Sequence, residues 1–537
     1  MPWKYAWAIV AWVAVLAVGC AAPEENHKQA EPDPVDSVMA QDGFEEYAAM
    51  LMDLNATWDY RDLEFDGPYF ASALADVDDE RLYAGAARAI ITPTATNHPA
   101  PWYLGGTDQD RVATGVHDDL TAGAIVLRQG DAHAVLVSLD LVGFPIARVK
   151  AIREELALHG FDPEHIFIAS SHTHESPDTM GIWGKDYFNT GADPVYAQFL
   201  TDTIVNLVLQ AAGKAVPVSM RAGAKDVFEP DSNYDSLIRD SRDPRMSLPT
   251  VSAAQFVDDN GATVATLVNW HTHPEVMIST DEVSADFPQY LRHRLDDLLG
   301  GVTVYISGAV GGLATPLGVR VPGRDGNSQP MVDGNGQAFL YDGQSWEKAR
   351  SLGIIVAEYV TDALDDAPLV MDAPLTVRAS IVPLPIRNPV HAFAFYSGLV
   401  ERTEGIIRDL PWFCGIFGCA PERAGYVEVG PLTLVTSPGE TFAETVVGRD
   451  EMSIDYGPDW GVHTYPAITG YEELMDAEVT MHMGLCGDEI GYLVPQGDRH
   501  PSDHPENYEE FYSLGRDVET VYRWTAYLLV MGLADQS

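Results

Sequence analysis

The chain has 537 residues, with 80 Asp and Glu against 32 Lys and Arg, for a formal charge of −48. Phosphate is repelled by so acidic a surface, which excludes nucleic acid as a partner. The length would hold roughly three or four domains of ordinary size, yet no internal linker divides it, and the acid is scattered like that of a solvated surface.

Met1 to Cys20 has the form of a secretory leader: Lys4 near the start, then an apolar run from Ala6 to Val18, too short for a comfortable membrane span. Its end, Leu16-Ala-Val-Gly-Cys20, resembles a bacterial lipoprotein cleavage box with Cys20 as the lipidated residue, which predicts export and a membrane-surface anchor. Ala17 stands where leucine is more usual, so free secretion stays open, as does an uncleaved anchor helix. Residues 21–41, rich in Pro, Glu, Asp and Ala without periodicity, read as a tether. Residues 42–537 read as one large domain. Export permits disulfides; Cys414 and Cys419 are close enough to pair, which leaves Cys486 as a buried thiol.

In chain order, Asp42 to Asn55 has a helical pattern and Ala84 to Ile91 a strand pattern ending at Thr92-Pro93. Ala122–Arg128 and Ala132–Leu139 flank a hairpin turn at Gln129-Gly-Asp131. Pro145 to His159 is an amphipathic helix, and Ile166–Ala169 a buried strand. Ala197 to Lys214 is helical; Ala253–Val257 and Thr263–Trp270 form a hairpin around Asp258-Asp-Asn-Gly261. A helix over Asp286–Leu299 precedes the strand Val302–Ser307, and Arg320 to Gly343 reads as a long loop. Trp346–Leu364 is a long helix, Leu432–Thr436 and Val479–Met483 are strands, and Asp517–Leu533 closes the chain as a helix. Interleaved helices and strands with frequent hairpins predict an α/β (mixed α+β) fold of mixed sheets.

Five of these strands end in polar or glycine-rich turns: at His172, His271, Gly308, Pro438 and Gly484. Ligand sites of α/β sheets form beyond the carboxyl ends of strands. Two of the ends carry His-Thr-His, at 172–174 and 271–273. Imidazoles delivered from different strand ends can converge on a metal ion, with zinc the first choice. His172 and His273 are the first candidates; residues i and i+2 of an extended segment share a face, so both histidines of each pair can point inward, or one of each binds metal while the other acts as a hydrogen-bond donor or proton shuttle. Glu440, beyond a strand and at a helix start, can complete the site or simply favour the helix dipole. Tyr492 can bind metal, donate to an oxyanion or only pack. The Gly308–Pro316 loop offers backbone N–H groups and the Thr315 hydroxyl, or is only a tight turn.

The ordered set Ala84–Pro93, Val137-Ser-Leu-Asp140, Ser171-His-Thr-His174 with Pro177, Trp270-His-Thr-His-Pro274, Pro438-Gly-Glu440, and Gly484-Leu-Cys486 before Tyr492 resembles the neutral/alkaline ceramidases over about Ala84 to Leu533. These are zinc amidases that cleave ceramide to sphingosine and a fatty acid. The resemblance implies two twisted sheets flanked by helices, zinc held by His172, His273, Glu440 and Tyr492, proton relay by His174, substrate contact by Tyr508, and a ceramide-like lipid substrate. Thr315, in Gly312-Leu-Ala-Thr315-Pro316, stands where the family has a serine cast as nucleophile or substrate contact, and Asn233-Tyr234 where it has an Asn-Arg pair. Those two departures keep open a zinc hydrolase of another amide or ester, and a non-catalytic binding lipoprotein on the same fold.

Overall fold

Strands form where small and β-branched apolar residues run unbroken. The computed structural model, which describes residues 34–57, 80–186, 188–402, 405–458, 460–502, 504 and 506–534, gathers most of them into one nine-stranded sheet. Its long strands are β1 (Tyr83–Ile90), β2 (Thr121–Gln129), β3 (Ala132–Leu139), β4 (Ile166–Ser170), β5 (Val216–Asp226), β6 (Thr250–Asp258), β7 (Thr263–Trp270) and β8 (Val302–Ser307). The order across the sheet is β8-β7-β6-β5-β1-β2-β3-β4, with Val370–Met371 pairing to β5. The end pairs β7/β8 and β3/β4 are parallel, and the pairs between them antiparallel.

A second, four-stranded sheet runs β9 (Leu375–Pro385), β10 (Cys419–Val429), β11 (Leu432–Thr436) and β12 (Val479–Met483), the last pair parallel. Leu127, Leu136, Phe167, Leu267 and Val304 of the first sheet pack against Val427, Leu434 and Met481 of the second. Helices cover the outer faces. Ile146–Ala157 and Pro194–Ala212 lie on one part of the first sheet, Phe287–Leu299 and Trp346–Asp365 on another, and Val518–Val530 on the second sheet. The layering is helix, sheet, sheet, helix, as expected for a mixed α/β fold.

The first sheet curls so that its two ends meet: Ser307 Oγ on β8 donates to the Ser171 carbonyl just past β4 at 2.6 Å. Backbone bonds then join strand ends directly. Gly484 N–H reaches Ser307 O, Ser437 N–H reaches Met483 O, and Ser170 N–H reaches Leu485 O. Asn269 at the end of β7 ties both sheets, donating to the Ile306 and His482 carbonyls and accepting the His482 N–H. The carboxyl ends of β4, β7, β8, β11 and β12 therefore lie at one rim.

Pro34–Met39 is helical with Val38 fully buried, so a helix lies within the stretch expected to be a tether up to 41; Val35, Val38 and Met39 recur at helical spacing. The leader and Cys20 lie outside the described residues. Cys414 and Cys419 form a disulfide, and Cys486 is a buried free thiol. The long loop at 320–343 is built on two Asp turns: Asp325 Oδ1 accepts from Asn327 and Gln329, and Asp333 Oδ1 from Asn335 and Gln337. Among the described residues no helix is long and apolar enough to cross a membrane.

Candidate metal centre at the strand ends

His172, His174 and His273 form a buried cluster, with ring centroids 4.9 Å (172–174), 5.0 Å (172–273) and 5.7 Å (174–273) apart. Each ring is aimed by the turn that carries it. His172 has a φ of +70°, a left-handed conformation that is costly for a residue with a Cβ. Its N–H is held by the Leu141 carbonyl, and Nδ1–H donates to the Val142 carbonyl at 2.5 Å. His273 Nδ1–H donates to the Ala314 carbonyl at 2.8 Å. A backbone acceptor at Nδ1 fixes the tautomer and leaves the Nε2 lone pair for a ligand.

Both Nε2 atoms face Glu440: His172 Nε2 is 3.6 Å from Oε1, and His273 Nε2 3.1 Å from Oε2. Glu440 is 4% exposed. It pairs in parallel register with Tyr492 across the two-stranded ladder Glu440–Thr441/Tyr492–Leu493. The turn before Tyr492 needs glycine at 491, where φ is +83° and a Cβ would stand 1.9 Å from the Tyr512 carbonyl. Tyr492 is buried, its hydroxyl makes no hydrogen bond among the described residues, and its ring meets that of Tyr508 at 6.0 Å. Burial, then the Glu440 carboxylate, pushes the Tyr492 hydroxyl well above its ordinary pKa, so it keeps its proton.

His174 differs from the other two. Arg111 fixes its carbonyl at 2.9 Å and Gly106 lies against its ring, yet both ring nitrogens are buried with no hydrogen-bond partner. Burial and then the neighbouring imidazoles hold its pKa far below that of a free histidine, so it is neutral. The nearest carboxylate to it is Glu275, with Oε2 3.8 Å from Nδ1 and 6% exposure. Nothing in the sequence pattern singles out Glu275; the fold of the turn after His273 brings it to His174.

The donor set fits a divalent metal. Two imidazole lone pairs and a carboxylate converge while a third imidazole has unpartnered nitrogens, although buried polar groups in proteins are as a rule paired. The contacts of His273 point the same way. With Nδ1–H given to Ala314 and Nε2 against a carboxylate, the ring needs a second proton unless a cation stands there.

The remaining expected residues are placed differently. Thr315 is 2% exposed, and its hydroxyl accepts the Leu317 N–H at 3.0 Å, which caps a turn. The turn matters to the cluster because Ala314, one residue earlier, holds both the backbone and Nδ1 of His273. Tyr508 is 47% exposed at the rim. Asn233 uses its side chain on the Gly318 carbonyl and the Arg320 N–H, so it braces a loop. Asp140 takes the Arg292 guanidinium through two bonds of 2.8 and 2.7 Å and joins β3 to the helix Phe287–Leu299. His271 turns away from the cluster; its Nδ1 accepts the Ala309 N–H at 3.0 Å.

No protein-family model and no curated protein sequence matches the chain. Solved structures do match. A neutral ceramidase from Pseudomonas aeruginosa superposes with a TM-score of 0.57 at 14% identity, over 84% of this chain and 74% of that one. A ceramidase complexed with C2 gives 0.59 at 15%, over 85% and 76%. At such identity the likeness is one of fold, and the chain has the fold of the neutral ceramidases, with its buried histidine cluster at the strand ends of that fold.

Proposed function

We propose that the protein is a zinc-dependent hydrolase of the N-acyl amide bond of ceramide or a related N-acyl lipid. The observation that carries this reading is the convergence of His172, His273 and Glu440, with His174 and Tyr492 beside them, at the strand ends of a ceramidase-type fold. Zinc held by His172, His273 and Glu440, with Tyr492 beside it, would polarise an acyl carbonyl and lower the pKa of water to about 7. The chain's own groups supply the rest. His174, neutral and without a partner, takes a proton from the attacking water and returns it to the leaving amine. Glu275 faces its Nδ1 and steadies the charged imidazole. Tyr492 donates to the oxygen on which charge develops. A cavity of about 590 Å³ is lined by Phe144, Met180, Phe188, Phe393 and Leu399, with Arg148, Asp193 and Glu401 also on its wall.

A second reading, a zinc hydrolase of another amide or ester, is favoured by Thr315, which stands where the family has a serine and whose hydroxyl accepts the Leu317 N–H. Export on a lipid anchor at Cys20 remains part of the proposal, resting on the leader sequence and accordant with the Cys414–Cys419 disulfide. Hydrolysis of a labelled ceramide panel beside N-acyl amino acids and simple esters, with and without chelator, tests it. Chelator-sensitive release of fatty acid from ceramides is expected. Cleavage of esters or N-acyl amino acids alone would favour the second reading.

A further inference from the structure

A second group of metal-type ligands lies outside the strand-end cluster. His500, His504 and Glu506 bring one ligand atom each to within 4.8 Å of one another. His500 and His504 are 6% and 8% exposed, with ring centroids 4.2 Å apart. The mechanism proposed above uses none of the three.

His500 is the anchored member. Its N–H donates to Glu510 Oε1 at 2.7 Å, and its carbonyl accepts from Asn507 at 2.8 Å. Its Nε2 meets the Tyr465 hydroxyl at 3.1 Å, and that hydroxyl is in turn bonded to Tyr456. Its Nδ1 is buried with no partner. When Nε2–H donates to Tyr465, the Nδ1 lone pair is left free inside the fold, the arrangement by which an outer hydrogen bond sets the tautomer of a ligating histidine. Tyr456 and Trp460 wall the group on the His504 side, with ring centroids 5.2 and 4.9 Å from His504. Glu506 is partly exposed and gives an entry path. The contact that a metal would replace is the weak one, 3.2 Å, from the Glu506 amide to His504 Nδ1.

The surrounding charge suits a cation. The Arg242 guanidinium is already matched by Glu509 at 2.6 Å and Glu510 at 2.5 Å, and also reaches the carbonyls of Glu506 and Asp498.

We propose that His500, His504 and Glu506 form a second metal site, distinct from the strand-end cluster, for a divalent transition ion of the zinc class. Two imidazoles and one carboxylate select such an ion over calcium or magnesium, which require oxygen donors. Bound metal pins His500, His504 and Glu506 against the hairpin strand Val462–Tyr465, which His500 already meets through Tyr465. Tyr508 follows two residues later, so occupancy also limits the motion of a tyrosine at the mouth of the candidate active site; only this last link rests on the function proposed above.

The test is zinc binding by chelator-stripped full chain, counted by elemental analysis and calorimetry, with cobalt as a spectroscopic probe. Wild type takes up about two ions per chain. His172→Ala/His273→Ala keeps about one, and its cobalt form shows the absorption of a nitrogen- and oxygen-ligated ion. Adding His500→Ala/His504→Ala to it removes that band. Glu506→Gln, which keeps shape and volume, weakens the second site at least about tenfold while the metal-free melting temperature stays put. An equal count in wild type and His500→Ala/His504→Ala, or no ion bound by folded His172→Ala/His273→Ala, would overturn the proposal. None of these counts depends on which substrate is cleaved.

Discussion

The two His-Thr-His turns have the same sequence and each follows a buried strand, yet they deliver their rings differently. The first puts both His172 and His174 into the cluster, whereas the second puts in His273 and sends His271 against the Gly308–Ala309 turn. The difference lies in the backbone. The first motif starts one residue later, since Ser171 separates His172 from its strand while His271 follows Trp270 directly, and His172 adopts a φ of +70°, which His271 does not. A repeated motif thus gives three site residues and one buried structural histidine.

The sharpest way to break the comparison is to delete one ring at a time. His172→Ala and His273→Ala are expected to lose more than about a hundredfold in zinc affinity at this site, and with it turnover. His271→Ala should keep zinc and instead lose about 1–3 kcal/mol of stability, because the buried Ala309 N–H loses its acceptor. Calorimetric zinc titration and chemical denaturation on the same preparations separate these outcomes.

Next in size is Tyr492→Phe, which keeps the ring and removes the hydroxyl proposed as oxyanion donor. A fall of about a hundredfold in kcat with zinc still bound is expected; near-normal kcat would remove Tyr492 from the site. Glu275→Gln should lower kcat about tenfold with little change in KM, since it acts through His174. If KM alone rises, Glu275 contacts substrate instead.

A smaller effect concerns acid. His482 is fully buried between the hydroxyls of Ser437 and Tyr471, and burial, then His271, lowers it to about 3. Unfolded, it takes a proton near its ordinary value of 6.5, so the folded state binds fewer protons between about 6.5 and 3. Stability should therefore fall with pH across that window, by up to about 1.4 kcal/mol per unit from this group. His482→Gln should flatten that slope in denaturation midpoints measured at pH 7 and pH 5. Smallest is Thr315→Ser, expected to leave kcat within about threefold, with Thr315→Ala costing about 1 kcal/mol through the lost turn cap.

Much of this was legible because the strands that build the rim are apolar and end in unusual residues. The Ile166, Thr263, Val302, Leu432 and Val479 strands all lie where their apolar runs predict. The strands Leu375–Pro385 and Cys419–Val429 escaped, for a physical reason. They carry facing prolines, Pro383 opposite Pro421, and the buried acid Glu422, which is neutralised by Arg402 from outside the strand. Proline and charge in a run both argue against a strand until the partner is seen. Glu275 escaped because only the fold brings it to His174. His500 and His504 escaped because spacing within a polar loop carries no periodic signal, and Tyr465, which holds His500, is distant in sequence.

The most direct test of the strand-end site is restoration of activity. Chelator-stripped wild type and His273→Ala are reloaded with zinc while hydrolysis of a labelled ceramide is followed. Activity that is absent when stripped, returns with zinc in wild type and stays absent in His273→Ala is the predicted result. Full turnover by stripped protein, or equal recovery in His273→Ala, would contradict a catalytic metal at His172, His273 and Glu440.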